Sequence, residues 1–176
     1  MNSKIIKYII IILLLPVVPL KASAQTGIYY STNGQLSSSL INQLYQDQRG
    51  FIWISTEFGL NKFDGTHFTH YKHIDNDSTS LINNHVRGVF EDSYRNLWIR
   101  CLGGLMLYHP ETDDFELIKI EGKEGRHVTN IMELHNGEVW GMTTGDTIFR
   151  INLTQKVIEP IDEINRKLHL KSFSSI

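Results

Sequence analysis

The stretch Asp47-Gln48-Arg49-Gly50-Phe51-Ile52-Trp53-Ile54-Ser55-Thr56-Glu57-Phe58-Gly59-Leu60 decides the fold, because it returns 45 residues later. Asp47, Trp53, Gly59 and Leu60 recur as Asp92, Trp98, Gly104 and Leu105 without a gap, while Phe63 becomes Tyr108 and Leu36 becomes Leu81. Agreement at one offset marks an internal repeat, and missing such a repeat misassigns the whole fold. A weaker third copy comes next, with Trp140 lying 42 residues after Trp98, Val128 and Ile131 answering Val86 and Val89, and Ile148 to Ile151 answering Leu105 to Tyr108. Phe173 and Ile176 repeat the spacing of Ile41 with Leu44, so a fourth unit is expected to open at the C-terminus and to stop inside its first strand.

Each unit reads as four short strands. In the second they are His85 to Glu91, Asn96 to Arg100, Leu105 to Tyr108 and Phe115 to Ile120, rich in β-branched and aromatic residues and separated by turn chemistry. No helical period competes. Gly50, Gly65, Gly137 and Gly145 can take positive φ, and Asp64-Gly65 and Asn136-Gly137 are dipeptides that favour tight primed hairpin turns. The Trp53 and Trp98 strands are apolar on both parities and so need cover on both faces. A four-stranded unit of this length, sandwiched between copies of itself, is a propeller blade. An α/β solenoid fails for want of a helical segment between strands, and a single β-sandwich leaves the fixed offset unexplained.

The expected fold is therefore all-β, a β-propeller of about three blades in an incomplete ring with partial strands at both ends. The expected organisation is a signal peptide at 1–24, an outer strand for a closing blade at 25–39, blades at 40–80, 81–123 and 124–167, and the truncated start of a fourth at 168–176. An open ring leaves the outer faces of the terminal blades apolar, and the mature chain alone is expected to be marginal or sticky.

Lys4 and Lys7, the apolar run Ile5 to Leu15, and Ala22-Ser23-Ala24 before Gln25 describe a secretory signal. The apolar run is short for a membrane span and is followed by Pro16 and Pro19, which argues against an uncleaved anchor. The formal charge is −2 and becomes more negative once Lys4, Lys7 and Lys21 leave with the leader. The remaining basic residues are scattered singly, which argues against nucleic-acid binding. Cys101 is the single cysteine, so no internal disulfide forms, and a lone thiol of this kind is expected to be buried and inert.

At these residues the sequence resembles the two-component regulator propeller repeat. The first blade carries the family's pattern as Asp47-Gln48-Arg49-Gly50, Ile52-Trp53-Ile54-Ser55-Thr56, Gly59-Leu60 and Phe63-Asp64, and the second as Asp92, Leu97-Trp98-Ile99, Gly104-Leu105 and Tyr108. Departures exist: Ser55, Arg100 and Met142 stand where the family favours Gly, Arg95 stands where Gly50 does, and Leu134 replaces the aspartate in the third copy. The resemblance implies a periplasmic input module of a membrane-spanning sensor, commonly a hybrid histidine kinase of Bacteroidetes responding to breakdown products of complex carbohydrates. It implies partners in an oligosaccharide ligand, the remaining blades and downstream sensor domains, with transmembrane and kinase parts lying outside this chain. It also gives Ile28-Tyr29-Tyr30 the role of an outer strand that closes the ring.

Residues that could carry chemistry fit structural roles better. His67, His70 and His73, spaced by three, suit a solvated outer strand rather than a metal site. Asp75-Asn76-Asp77-Ser78 opens like a calcium loop but lacks its glycine and downstream glutamate, and reads as an inter-blade turn. Glu111, Asp113 and Asp114 resemble a glycosidase carboxylate pair but sit beside Pro110 in a hairpin loop. Asn83-Asn84, at the expected axial mouth, offers polar groups without defining a site. No catalytic, metal-binding or cofactor-binding residue is indicated, and no cofactor is implied. Sensing is the reading favoured over an exported propeller lyase or hydrolase and over an inactive truncated product.

Overall fold

The computed structural model describes residues 30–31, 35–120, 127–144 and 147–173. Three antiparallel sheets succeed one another along the chain. The first contains β1 (Ile41–Gln46), β2 (Ile52–Thr56), β3 (Gly59–Phe63) and β4 (Phe68–Tyr71). The second contains β5 (Val86–Glu91), β6 (Leu97–Cys101), β7 (Gly104–His109) and β8 (Asp114–Leu117). A short β9 (Lys119–Ile120) leads to the third, made of β10 (Val128–Glu133), β11 (Val139–Thr143), β12 (Ile148–Asn152) and β13 (Val157–Pro160). The four strands of each blade, β1–β4, β5–β8 and β10–β13, pair in chain order, so the repeat read from the sequence is a repeat of blades.

The tryptophans occupy equivalent places: Trp53 pairs with Tyr45, Trp98 with Phe90 and Trp140 with Met132. Trp53 and Leu60 pack with Val86, Val89, Ile99 and Tyr108 of the second blade in one core. Trp98 and Leu105 pack with Val128, Ile131, Val139 and Phe149 of the third in another. Neighbouring positions on β6 thus serve opposite cores, Ile99 facing back and Trp98 forward, which explains a strand apolar on both parities. Trp53 is 0% and Trp98 1% exposed, whereas Trp140, with no following blade among the described residues, is only half-buried.

A second constraint acts inside each blade. Asp47 accepts the backbone N–H groups of Arg49 and Phe51 on Oδ1 and the Trp53 indole N–H on Oδ2 at 2.8 Å. Asp92 does the same for Tyr94, Asn96 and Trp98, the last at 2.9 Å. Each carboxylate is buried and fixes the turn to the tryptophan it precedes. Leu134 cannot do this in blade three, where the Trp140 indole donates instead to Glu138 on the surface.

Three expectations are corrected. The turns at Asp64-Gly65 and Asn136-Gly137 are not type I′ turns centred on those dipeptides, because only the glycines and not Asp64 or Asn136 have positive φ. In the second of these, Gly137 N–H donates to Leu134 and Leu134 N–H to Glu138, an ordinary turn closed by a left-handed glycine. Gly145 lies outside the described residues. Phe115 to Ile120 is not one strand: Ile118 N–H stays bonded to Leu105, while Lys119–Ile120 crosses over and pairs parallel with β13 on the outer edge of blade three. The C-terminal segment forms α1 (Asp162–Phe173), so the described part of 168–176 is helical rather than the opening of a strand. Asp162 and Glu163 favour the helix N-terminus, Lys167 pairs with Glu163 at 2.7 Å, and Asn165 clasps both backbone groups of Ile148. Tyr30 packs edge-on against Phe63 and Phe68, while Ile28 and Tyr29, the rest of the expected outer strand, lie outside the described residues.

Arg95 adopts φ 67, where Gly50 and Gly137 stand in the sister turns, so Arg95→Gly is expected to raise stability by about 1 kcal/mol in chemical denaturation. Leu44 at 63% and Met132 at 52% exposure flag uncovered faces on the first and third sheets. The purified chain is expected to self-associate with rising concentration in sedimentation, where a concentration-independent monomer would contradict this reading.

Candidate functional site

The inner strands β1, β5 and β10 meet where the blades converge. All three are bulged at the same place, leaving Asn42, Arg87 and Thr129 as the extra residue in each. A bulge bends its strand and re-aims a side chain, and here the consequence is contact between blades. Asn42 Nδ2 donates to Val86 O at 2.8 Å, and Gln43 Oε1 accepts Val89 N–H at 2.7 Å. Arg100 on β6 reaches forward and donates from Nη1 to Thr129 O in the third blade. Gly88 keeps this meeting point open, since a Cβ there would collide with Gln43 Oε1 and Arg100 Nη2. Residues from three blades thus gather at one hub.

Around the hub the blade boundaries are closed by repeated polar clasps. Glu91, the last residue of β5, accepts Gln48 N–H from the turn of blade one at 2.7 Å. Its counterpart Glu133 accepts Ser93 N–H from the turn of blade two at 2.8 Å. At the opposite end His85 Nδ1 lies 2.7 Å from Glu57, and Gly103 N–H donates to His127 Nδ1 at 2.8 Å. The glutamate clasp recurs with the blade period, and the histidine recurs with a different partner. That recurrence is the one trace that Glu91 with Glu133 and His85 with His127 leave in the sequence, where no motif for chemistry marks them.

At the periphery one knot joins the first two blades. Tyr71 and Tyr108 both donate hydroxyl protons to Asp113 Oδ1, and Lys62 Nζ donates to the Tyr108 hydroxyl at 2.9 Å while lying 4.8 Å from the centre of the Phe51 ring. Burial opposes ionisation of Asp113, yet the two hydroxyls and the lysine charge hold its carboxyl below the usual carboxylate value. Burial and the bond to Asp113 push both tyrosines up. A cleft of about 330 Å³ opens beside this knot, between Tyr71, Thr79, Asp113 and Phe115.

The residues considered for chemistry are dispersed. His67 faces Asp64, His70 meets the Gln35 carbonyl, and His73 bonds the Leu81 carbonyl, so the three do not converge. Asp77 caps its own turn through Thr79, placing residues 75–78 in the inter-blade connection. Asn83 and Asn84 accept backbone N–H groups of His85 and His73, which spends them on the loop. Asp113 and Asp114 part company, Asp113 serving the knot and Asp114 pairing on β8 with His109. Cys101 is buried, and desolvation pushes its thiol up to about 12, so it stays protonated.

Residues 35–58 match the model of the two component regulator propeller family. A curated relative, histidine kinase P4 of Formosa agariphila, is 46% identical over 46 residues, which are 26% of this chain and 3% of that protein. The extracellular domain assigned to a hybrid two component system of B. thetaiotaomicron superposes with a TM-score of 0.64 at 27% identity, over 74% of this chain and 19% of that one. A second extracellular domain, assigned to a one component system of the same organism, gives 0.57 at 25% identity, over 64% and 16% of the two chains. Virginiamycin B lyase from Staphylococcus aureus, at 0.50 and 15% identity over 65% and 38%, shares the fold alone. The chain spans about a fifth or less of the two extracellular domains and a far smaller share of the kinase.

The knot generates a pH dependence. Because Asp113 titrates lower when folded, its contribution is present above the ordinary carboxylate value and is lost as pH falls through the lowered one. Asp113→Asn is expected to lower the denaturation midpoint at pH 7 and to shrink the difference between pH 7 and pH about 3.

Proposed function

From blades of the two-component regulator propeller type, we propose that this protein is the ligand-recognising, exported portion of a two-component regulatory system and responds to carbohydrate fragments. The observation that supports this most is the likeness of 74% of the chain to an extracellular domain of a hybrid two component system. Export to the periplasm is argued from the leader pattern at 1–24, which lies outside the described residues, and from the extracellular placement of the similar domains. Among the described residues no helix is long and apolar enough to cross a membrane. Transmission is assigned to membrane-spanning and kinase parts reached through further blades.

The hub suits recognition of a hydroxylated ligand. Gln43, Arg87 and Arg100, with the Thr129 carbonyl, bring amide, guanidinium and carbonyl groups from three blades to one place, and a small number of convergent polar groups is what fixes a ligand's orientation.

Calorimetric titration of the purified chain with oligosaccharide fragments from a panel of polysaccharides tests the proposal. Saturable binding of one fragment family, with the fragment recovered intact, is the expected outcome. Progressive release of new reducing ends or unsaturated products would instead identify an exported propeller enzyme.

A further inference from the structure

We propose that Arg87 and Arg100 form a receptor at the hub for a single oxyanion, the carboxylate or sulfate group of an acidic ligand. The pair belongs to blade two alone: Asn42 and Thr129 occupy the Arg87 bulge position in the sister blades, and Ser55 and Met142 occupy the Arg100 position. Two cations have therefore been placed where the repeat itself calls for none.

Their surroundings leave them uncompensated. The Nε atoms of both are buried without a hydrogen-bond partner, and among the described residues neither guanidinium enters an ion pair. Arginine does not escape such a position by losing its proton. Burial, and then the neighbouring Arg87 charge, pull Arg100 below its ordinary value, so the two guanidiniums repel one another in a setting that water screens poorly. An oxyanion accepting from both would turn that repulsion into two charge-assisted interactions of the forked kind that arginine favours.

The scaffold is built to hold the pair in place. Arg100 is tethered by its donation to Thr129 O, which fixes one end of the guanidinium. Arg87 is presented by the β5 bulge, and Gly88 beside it lets Gln43 and Arg100 approach the strand where a Cβ would collide with both. Gln43 arrives from blade one at the same place and adds an amide, so the receptor draws on three blades and exists only when they are docked.

This inference rests on the ligand-recognition reading and narrows the ligand to a uronic-acid or sulfated sugar. Thermal unfolding of the purified chain is measured at constant ionic strength with chloride replaced by sulfate, by sodium glucuronate or, as the neutral control, with glucose added. At least one anion is expected to raise the melting temperature by about 3 °C or more at saturation, with glucose inert. The anion that acts separates sulfated from carboxylated ligands. Arg100→Gly and Arg87→Gln are each expected to abolish the rise, and Arg100→Lys, which keeps a charge but not the fork, to retain part of it. No rise with either anion, or an equal rise in the folded Arg87→Gln and Arg100→Lys variants, overturns the receptor. Binding of a neutral oligosaccharide unaffected by either anion also overturns it while leaving ligand recognition standing.

Discussion

Blades one and two each bury their tryptophan strand against the next blade along the chain, and the rest of the structure depends on that contact. A strand apolar on both faces is a liability in water unless two neighbours cover it. Trp53 obtains its cover from Val86, Ile99 and Tyr108, and Trp98 from Ile131, Val139 and Phe149. The Asp47 and Asp92 carboxylates serve this packing directly, since an indole buried with its N–H unpartnered would lose much of what the burial gains. Blade three has no such neighbour among the described residues. Its aspartate is replaced by Leu134, and Trp140 turns its N–H to a surface glutamate.

The polar clasps arise from the same geometry. Blades that stack face to face bring the inner end of one strand close to the turn of the preceding blade, and Glu91 and Glu133 each use that proximity to satisfy a turn N–H that water would otherwise reach. The bulges then bend the inner strands and turn Asn42, Arg87 and Thr129 out of the regular register. Structural need accounts for Asn42, which bonds the neighbouring backbone. It does not account for two arginines with buried, unpartnered Nε atoms. Real folds depart from local rules mostly where function asks for it, and the hub is where this chain departs.

Much of the blade was legible because period and parity survive in sequence. Trp53 with Trp98, Gly59 with Gly104 and Leu60 with Leu105 are equivalent in three dimensions as their spacing requires. What misled was local. Asp64-Gly65 and Asn136-Gly137 carry the composition of type I′ turns, yet in each connection the glycine alone is left-handed. The apolar spacing near Phe173 resembles an opening strand, but the acidic first turn and the Glu163–Lys167 pair support a helix that Asn165 fastens to Ile148. Asp113 looked like a loop carboxylate and is the centre of an inter-blade knot, because its partners Tyr71 and Lys62 lie on another blade.

The amino-acid order alone determined the all-β blade, its period and the resemblance to a regulator propeller, because those depend on alternation and turn residues that repeat within about 45 positions. Only the tertiary structure decided which residues meet across blade boundaries. Gln43, Arg87, Arg100 and Thr129 come from three blades and carry no shared motif, and their gathering depends on bulges and on the angle at which sheets stack. Contacts of that kind are set by packing between distant segments, and linear spacing does not record them.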